Sequence, residues 1–100
     1  MLYNKDWDQK LNYKRANKVL LDAADYIHNH GWCQGNLRDE QGHVCVMGAI
    51  TAVTMRSHDD GTLAADLFRK FCGTSSVGYW NDKICQNEQQ AIDSLLSATL

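Results

Sequence analysis

The chain has 100 residues, of which 44% are hydrophobic and 22% are charged, a composition that fits one small folded domain and excludes intrinsic disorder. No apolar run approaches the roughly 18 residues that a membrane span requires, and the N-terminus has no apolar signal core, which predicts a cytoplasmic protein. The formal net charge of −2 argues against a general nucleic-acid binder, since such proteins usually carry strong positive charge.

The first predicted element is a helix from about residue 8 to residue 30. Its apolar residues recur at steps of three and four, which is the spacing of one helical face. Asp6 or Asp8 could cap its start, and Gly31 stands where a left-handed residue would end it. Trp32 is expected to fold back on the last turn. The predicted inward face consists of Ala16, Val19, Leu20, Ala23, Ala24 and Ile27.

Positive charge gathers on the N-terminal part of this helix. Residues 1–20 carry five Lys or Arg and two Asp, a net charge of +3, whereas the remaining residues carry −5. Such a strip is most often a solvated surface, and it could also contact an acidic protein or a phosphate backbone. The residues of this basic strip are Lys10, Lys14, Arg15 and Lys18.

A polar stretch and a strongly apolar segment follow. Residues 33–43 contain two glycines and a turn signal, which predicts a loop or a short hairpin. Val44 to Met55 is apolar almost all round, and a helix without a polar face is usually the buried centre of its domain. Gly48 inside such a helix costs about 1 kcal/mol relative to Ala, which predicts a close backbone crossing at that residue.

The C-terminal half is expected to form two further helices. Thr62 is predicted to cap the first, and a short connection spans residues 77–82. The last helix runs from about residue 86 to residue 98, where Asn87 and Gln90 have the spacing of a capping box. The whole chain is therefore expected to be one all-α domain, or a mainly α domain with one short hairpin. Its architecture would be a bundle of about four helices around the buried segment.

Three short motifs occur in a fixed order: GWCQG at 31–35, CVMGA at 45–49 and WND at 80–82. Together they resemble a family of small bacterial and phage proteins that is catalogued as a domain of unknown function. The resemblance covers about residues 15–98. It implies a compact helical domain and a bacterial or phage origin, and it implies no reaction. Position 33 departs from the family pattern, in which a hydroxyl residue more often precedes the glutamine.

Cys45 is the candidate for catalysis. It lies at the start of a predicted helix, where the helix dipole lowers the pKa of a thiol and favours the reactive thiolate. His43 would be the base, and Asn81 or Asp82 would orient its ring. The other interpretation is a small buried residue beside Gly48, and the spacing matches no peptidase signature. A thiol-dependent hydrolase or transferase is therefore an alternative function.

The histidines and cysteines are also chemically able to bind zinc. Their spacing differs from that of strong zinc motifs, and two of the histidines lie about 200° apart on a helix. We therefore expect no metal and no cofactor. Without a secretion signal, all four cysteines are expected to be reduced. The zinc candidates are His28, His30, Cys33, His43 and Cys45.

Binding to a partner protein is the function that these features favour. A small accessory protein would act by steric occupation of a partner surface, as an inhibitor of a host or defence factor would. Nucleic-acid binding through the basic strip is a further alternative, and a homodimer would bury more surface. Asn81 and Asp82 are also expected to pair with the loop around Gln34. The predicted contact residues are Lys10, Lys14, Arg15, Lys18, Gln34, Asn36, Arg38, Asn81 and Asp82.

Overall fold

Helices account for most of the chain. The computed structural model describes the backbone of residues 5–99 and the side chains of residues 12–99. Within that range β pairing is limited to two isolated bridges, which confirms the predicted mainly α class, and no helix there combines the length and hydropathy of a membrane span. The elements are α1 (Lys5–His30), α2 (Val46–Val53), α3 (His58–Cys72), α4 (Val77–Tyr79), which continues as a π turn (Trp80–Ile84), and α5 (Glu88–Ser97).

α1 is the helix against which the other long elements pack. α2, α3 and α5 all contact it, and its predicted inward face is buried, with Leu20, Ala23 and Ile27 fully so. A side chain such as Leu20 stabilises a fold by about 1.5–3 kcal/mol when it is fully buried. The sequence predicts the segment around Met47 as the centre of the bundle, and that segment is instead one of three helices that share the α1 surface.

α2 is buried on one face and open on the other. Ala49 and Ile50 are fully buried, whereas Thr51 is exposed and Met55, just beyond the helix, is 84% exposed. The helix ends at Val53, so the prediction of a helix that is buried on all sides and reaches Met55 is wrong. A two-turn helix buries only the faces that meet its neighbours, and here part of its apolar surface is left in contact with solvent.

Gly31 ends α1 in the left-handed conformation that the sequence predicts, with a φ of 96°. Its amide donates to the carbonyl of Ile27 at 2.7 Å. A Cβ atom at this residue would overlap the ring of His43. Glycine is favoured for both reasons, and the chain turns sharply here into the loop that carries Trp32 and Gln34.

Gly48 lies where that loop crosses α2. A Cβ atom there would overlap the backbone carbonyl of Leu37, and the amide of Cys45 donates to the same carbonyl at 3.2 Å. These contacts confirm the predicted backbone crossing. Residues 33–43 form a loop in place of a regular hairpin, and isolated bridges join Val44 to Arg38 in the loop and to Trp32 just before it.

α3 begins earlier than the sequence predicts. Its N-cap is Ser57, and Thr62 lies one turn inside the helix, where its hydroxyl donates to the carbonyl of His58 at 3.2 Å. Asp59 and Asp60 occupy the first turn. Their carboxylates favour a helix start at this point, because they interact with the positive end of the helix dipole.

Residues 77–84 are helical, where the sequence predicts a connection. Trp80 packs edge-on against Phe68 of α3, with ring centroids 5.0 Å apart. The capping prediction for α5 is confirmed, since the side chain of Asn87 accepts from the amide of Gln90 at 2.8 Å. The tryptophan therefore fixes the short helical segment against α3.

Candidate functional site

The three sequence motifs meet around the side chain of Asn81, which is fully buried. Its Oδ1 accepts hydrogen bonds from Trp32 Nε1 at 2.7 Å and from the amide of Val46 at 3.0 Å. Its Nδ2 donates to the carbonyl of Cys33 at 3.1 Å and to Asp82 Oδ1 at 3.0 Å. Asn81 thus makes four hydrogen bonds through its amide group. We term this arrangement the motif junction, and it comprises residues 31–35, 45–49 and 80–82.

Gln34 fastens the loop to the π turn. In an α-helix the carbonyl of Asn81 would accept from the amide of Cys85, but that amide donates to the carbonyl of Trp80 at 2.8 Å. Gln34 Nε2 donates to the Asn81 carbonyl instead, at 3.1 Å. The same nitrogen lies 3.2 Å from the carbonyl oxygen of Asp82 and 3.1 Å from that of Cys85. The wide turn is therefore stabilised by the glutamine that satisfies its carbonyl groups.

Asp82 closes the motif junction at the protein surface. Its Oδ1 accepts from the amide of Gly35 at 3.0 Å as well as from Asn81. The hydrogen bond from Gly35 and then the one from Asn81 lower the pKa of the Asp82 carboxyl, because both stabilise the charged form. The predicted pairing of Asn81 and Asp82 with the loop around Gln34 is therefore present.

The polar groups of the motif junction are bonded to one another. Among residues 12–99, every buried side-chain nitrogen or oxygen has a hydrogen-bond partner. Fully paired buried polar groups favour one arrangement of the chain, because any other arrangement leaves some of them unpaired. The motif residues therefore hold the loop, the start of α2 and the π turn together, and a ligand would have to displace these bonds to use them.

Cys45 serves as the N-cap of α2. Its Sγ accepts from the amide of Gly48 at 3.2 Å, and the residue is only 5% exposed. Burial raises the pKa of this thiol, and the helix amides oppose that effect only in part. His43 Nδ1 pairs with Asp39 Oδ2 at 2.9 Å. Among the described residues Cys45 forms no hydrogen bond with His43 or Asp82, and its bond to Gly48 is that of a helix cap.

The basic strip is partly balanced by carboxylates. Arg15 Nε donates to Asp60 Oδ1 at 2.6 Å and so links α1 to α3, and Lys18 Nζ pairs with a carboxylate one turn further on at 3.0 Å. Lys14 is exposed. The side chain of Lys10 lies outside the described residues. Two of the three described cations therefore have acidic partners, which leaves less charge for a phosphate backbone.

The outer edge of the loop remains in contact with solvent. Asn36 and Arg38 are exposed, and Arg38 donates to the hydroxyl of Tyr26. The other contact residues predicted from the sequence in this region belong to the motif junction. Of the contact residues that the sequence predicts in this region, only Asn36 and Arg38 therefore lie outside the motif junction.

The zinc candidates lie in different surroundings. His28 and His30 are both exposed at the end of α1, and the ring of His30 stacks on Tyr26 with centroids 3.9 Å apart. Among the side chains of residues 12–99, no group of three or more His, Cys, Asp or Glu is placed to hold a metal ion. The four cysteines are free.

A groove of about 660 Å³ lies between α2 and α3. Its walls are formed by residues 47–55 and 58–69, and residues 75–78 also line it. Sequence reasoning missed this groove, because the two helix faces that form it meet only in the fold. The excess of apolar residues in segment 44–55 is the one sequence signal that could have indicated it. We term it the Met55 groove.

The polar atoms of the groove walls are largely bonded within the walls. Thr51, Thr54 and Thr62 each donate a hydroxyl to the carbonyl one turn earlier, at 2.9, 2.6 and 3.2 Å. Asp66 and Arg69 pair with each other. The groove therefore offers methyl groups, thioethers and small side chains more than free hydrogen-bonding groups.

Met55 lies between two concave surfaces. It lines the groove, and it also lines a second cavity of about 270 Å³ together with Leu37 and Arg38 from the edge of the loop. Met55 is 84% exposed and Leu37 is 58% exposed. Exposed flexible apolar side chains beside a concave surface are typical of adaptable protein-binding sites.

The fold and the motif junction define a small helical domain in which a loop is locked against the start of one helix and the end of another. The chain belongs to the family described as "Family of unknown function (DUF6197)", whose model matches residues 12–99. This confirms the resemblance to an uncharacterised family that the three motifs indicate. No curated protein and no solved structure matches the chain.

Proposed function

We propose that this protein is a non-catalytic binding module that docks a segment of a partner protein in the Met55 groove. The exposure of Met55 carries the proposal, since this side chain is 84% exposed between two cavities. Burying a methionine side chain contributes about 1.5–3 kcal/mol. A partner that covers Met55 and the neighbouring Leu37 would therefore gain a substantial part of its binding energy from two residues.

The chemistry of the chain supports binding over catalysis. The buried thiol of Cys45 has a raised pKa, and the carboxylate of Asp82 holds the Gly35 amide. Neither residue lines the Met55 groove. Catalytic sites usually combine a cavity with perturbed titratable groups, and here the groove and those two groups lie in different places.

We further propose that it acts as a cytoplasmic accessory protein, in line with the bacterial or phage origin that the resemblance of the three motifs implies. In that role the protein would bind a segment of a host factor in its groove. The bound segment could then no longer make its contacts with other proteins. Arg38 is the contact residue predicted from the sequence that also adjoins Met55. The basic strip would then be a secondary surface, because Arg15 and Lys18 already have acidic partners.

The proposal is tested by selecting peptides on the purified protein from a displayed library of random peptides of about 16 residues, roughly four helical turns. We expect enriched peptides whose affinity falls at least about tenfold in Met55→Asp, since a charge cannot replace a buried apolar anchor. Leu21→Asp is the matched control, because Leu21 is an exposed apolar residue of α1 (49%) outside the groove. Enriched peptides that bind Met55→Asp as well as the parent protein, or a selection without enrichment, would refute the proposal.

A further inference from the structure

We infer that the occupant of the Met55 groove is an amphipathic α-helix of about three turns that carries carboxylates on the flank nearest Arg38 and Arg56. This inference rests on the proposed function and names the chemistry of the partner segment. It follows from the backbone chemistry of the walls, the length of the groove and the charges beside Met55.

The walls of the groove favour a helix over an extended peptide. Both walls are α-helices, whose interior amides and carbonyls are already bonded along the helix. The hydroxyls of Thr51, Thr54 and Thr62 are bonded to carbonyls of their own helices as well. An extended segment needs partners for its backbone amides and carbonyls and would find few of them here. A helix satisfies its own backbone and needs only apolar contact.

The length of the groove sets the length of the occupant. Its α3 wall extends from His58 to Arg69, which is about 16 Å at the rise of an α-helix. A segment of about three turns matches this distance and would present apolar side chains at positions i, i+4 and i+7. The small residue Ala65 lies on the same wall, where its short side chain permits close approach of a second helix.

Met47 and Met55 give the 47–55 wall of the groove adaptable apolar contacts. Both line the groove, and Met55 is the more exposed. Methionine has three flexible bonds and a polarisable sulfur, so it adjusts to side chains of different shape. The groove is therefore expected to require an apolar row on its partner without requiring one particular residue.

Charge sets the orientation of the occupant. Arg56 follows Met55 in the turn between α2 and α3, and Arg38 borders the adjoining cavity. Both are exposed, and neither forms an ion pair with a described side chain, while Asp59 is the exposed carboxylate in the next turn. Arg38 is the only charged residue among the described side chains that line the adjoining cavity, which makes its edge positive in a chain of net charge −2. Acidic residues on the helix flank complement it.

The test uses the tightest of the Met55-dependent peptides selected above, measured by fluorescence anisotropy. We expect a mid-peptide proline to weaken binding at least about tenfold, because it breaks a helix and leaves an extended chain intact. For a peptide with glutamates on its flank, we expect Arg56→Glu to lower the binding affinity about three- to tenfold. For the same peptide with lysines in place of the glutamates, we expect Arg56→Glu to raise the affinity. Lys83→Glu, which alters an exposed cation outside the groove, is the charge control.

The outcomes separate this inference from the proposed function. Peptides that depend on Met55 but tolerate proline would show an extended occupant and overturn the helical inference, while the groove would still be the binding site. Proline-sensitive peptides whose affinity is indifferent to Arg56→Glu would overturn the assignment of an acidic flank. Self-association that is lost in Met55→Asp would assign the groove to a second copy of the chain and overturn both.

Discussion

The side chain of Asn81 links three distant parts of the sequence by hydrogen bonds. It accepts from Trp32 and Val46 and donates to the carbonyl of Cys33. Each of these partners is at least partly shielded from water, so each would lose a hydrogen bond that solvent replaces poorly. The hydrogen bonds of Asn81 therefore explain, at the residue scale, why an asparagine stands in the WND motif.

Replacing Asn81 is expected to destabilise the protein strongly. Asn81→Ala leaves the Trp32 indole and the Val46 amide without an acceptor, and we expect a loss of about 2–4 kcal/mol in the free energy of unfolding. Urea denaturation followed by tryptophan fluorescence measures this loss. Asn36→Ala, in the exposed edge of the loop, is the control and should remain within about 0.5 kcal/mol of the parent. Equal stability of the two variants would contradict the structural role of the junction.

Cys45 is expected to react slowly with iodoacetamide in the native protein. The residue is only 5% exposed, and burial raises the pKa of its thiol, while only the thiolate reacts. Burial raises the pKa of the Cys33 thiol as well, but Cys33 is only half-buried. We therefore expect Cys45 to be labelled at least about tenfold more slowly than Cys33, because the reagent reaches it less easily. Peptide mass spectrometry over time gives both rates, and labelling in urea is the reference. Cys45→Ser should keep the N-cap of α2 and the affinity for groove peptides. Rapid native labelling of Cys45 would revive the thiol-enzyme alternative.

Asp82 is expected to contribute to acid sensitivity. Its pKa is lower in the folded protein than in the unfolded chain, so its stabilising effect is complete above the unfolded value of about 3.9 and is lost as the pH falls through the lower folded value. Asp82→Asn should therefore lose stability mainly at neutral pH and show a flatter decline below about pH 4. Chemical denaturation between about pH 7 and about pH 3 measures the difference. Asp93→Asn is the control. If the stability of Asp82→Asn depended on pH in the same way as that of the parent protein, this role of Asp82 would be contradicted.

Elements differ in how far their own sequence determines them. The α1 stripe and the Asn87 cap of α5 were predictable, because the residues that define them lie within one or two turns of each other. The π turn was not, since its carbonyl groups are satisfied by Gln34, a residue 47 positions from Asn81. The start of α3 was misread, because Asp59 and Asp60 are typical of turns as well as of a first helical turn.

At the scale of the element, Gly48 gives a prediction that differs from what helix propensity alone would suggest. Gly→Ala inside a helix normally stabilises by about 1 kcal/mol, but here the added methyl would overlap the carbonyl of Leu37. We expect Gly48→Ala to destabilise the protein by about 1–3 kcal/mol. Gly78→Ala is the control, since its Cβ would meet only the Ser76 hydroxyl, at 3.8 Å. Thermal unfolding of both variants decides the point, and a Gly48→Ala protein as stable as the parent would show that the loop does not cross α2 this closely.

At the scale of the whole molecule, α1 carries the packing and the motif junction locks the loop, which leaves one face of α2 free to bind. The helical class and the single domain were predictable from composition and periodicity. The Met55 groove was not, because the residues that line it come from three segments that only tertiary packing brings together. The partner's contacts are therefore expected on α2 and α3, while the sequence motifs maintain the shape beneath them.

The most direct measurement is a ¹⁵N chemical-shift titration of the protein with a selected peptide. The account predicts that the shifted amides cluster on the Met55 side of α2, on the groove face of α3 and at residues 75–78, the segments that form the groove. The amides of the motif junction around Asn81 should move much less. Shifts centred on that junction or on the basic strip, with the groove unaffected, would contradict the central claim that this protein binds its partner through the Met55 groove.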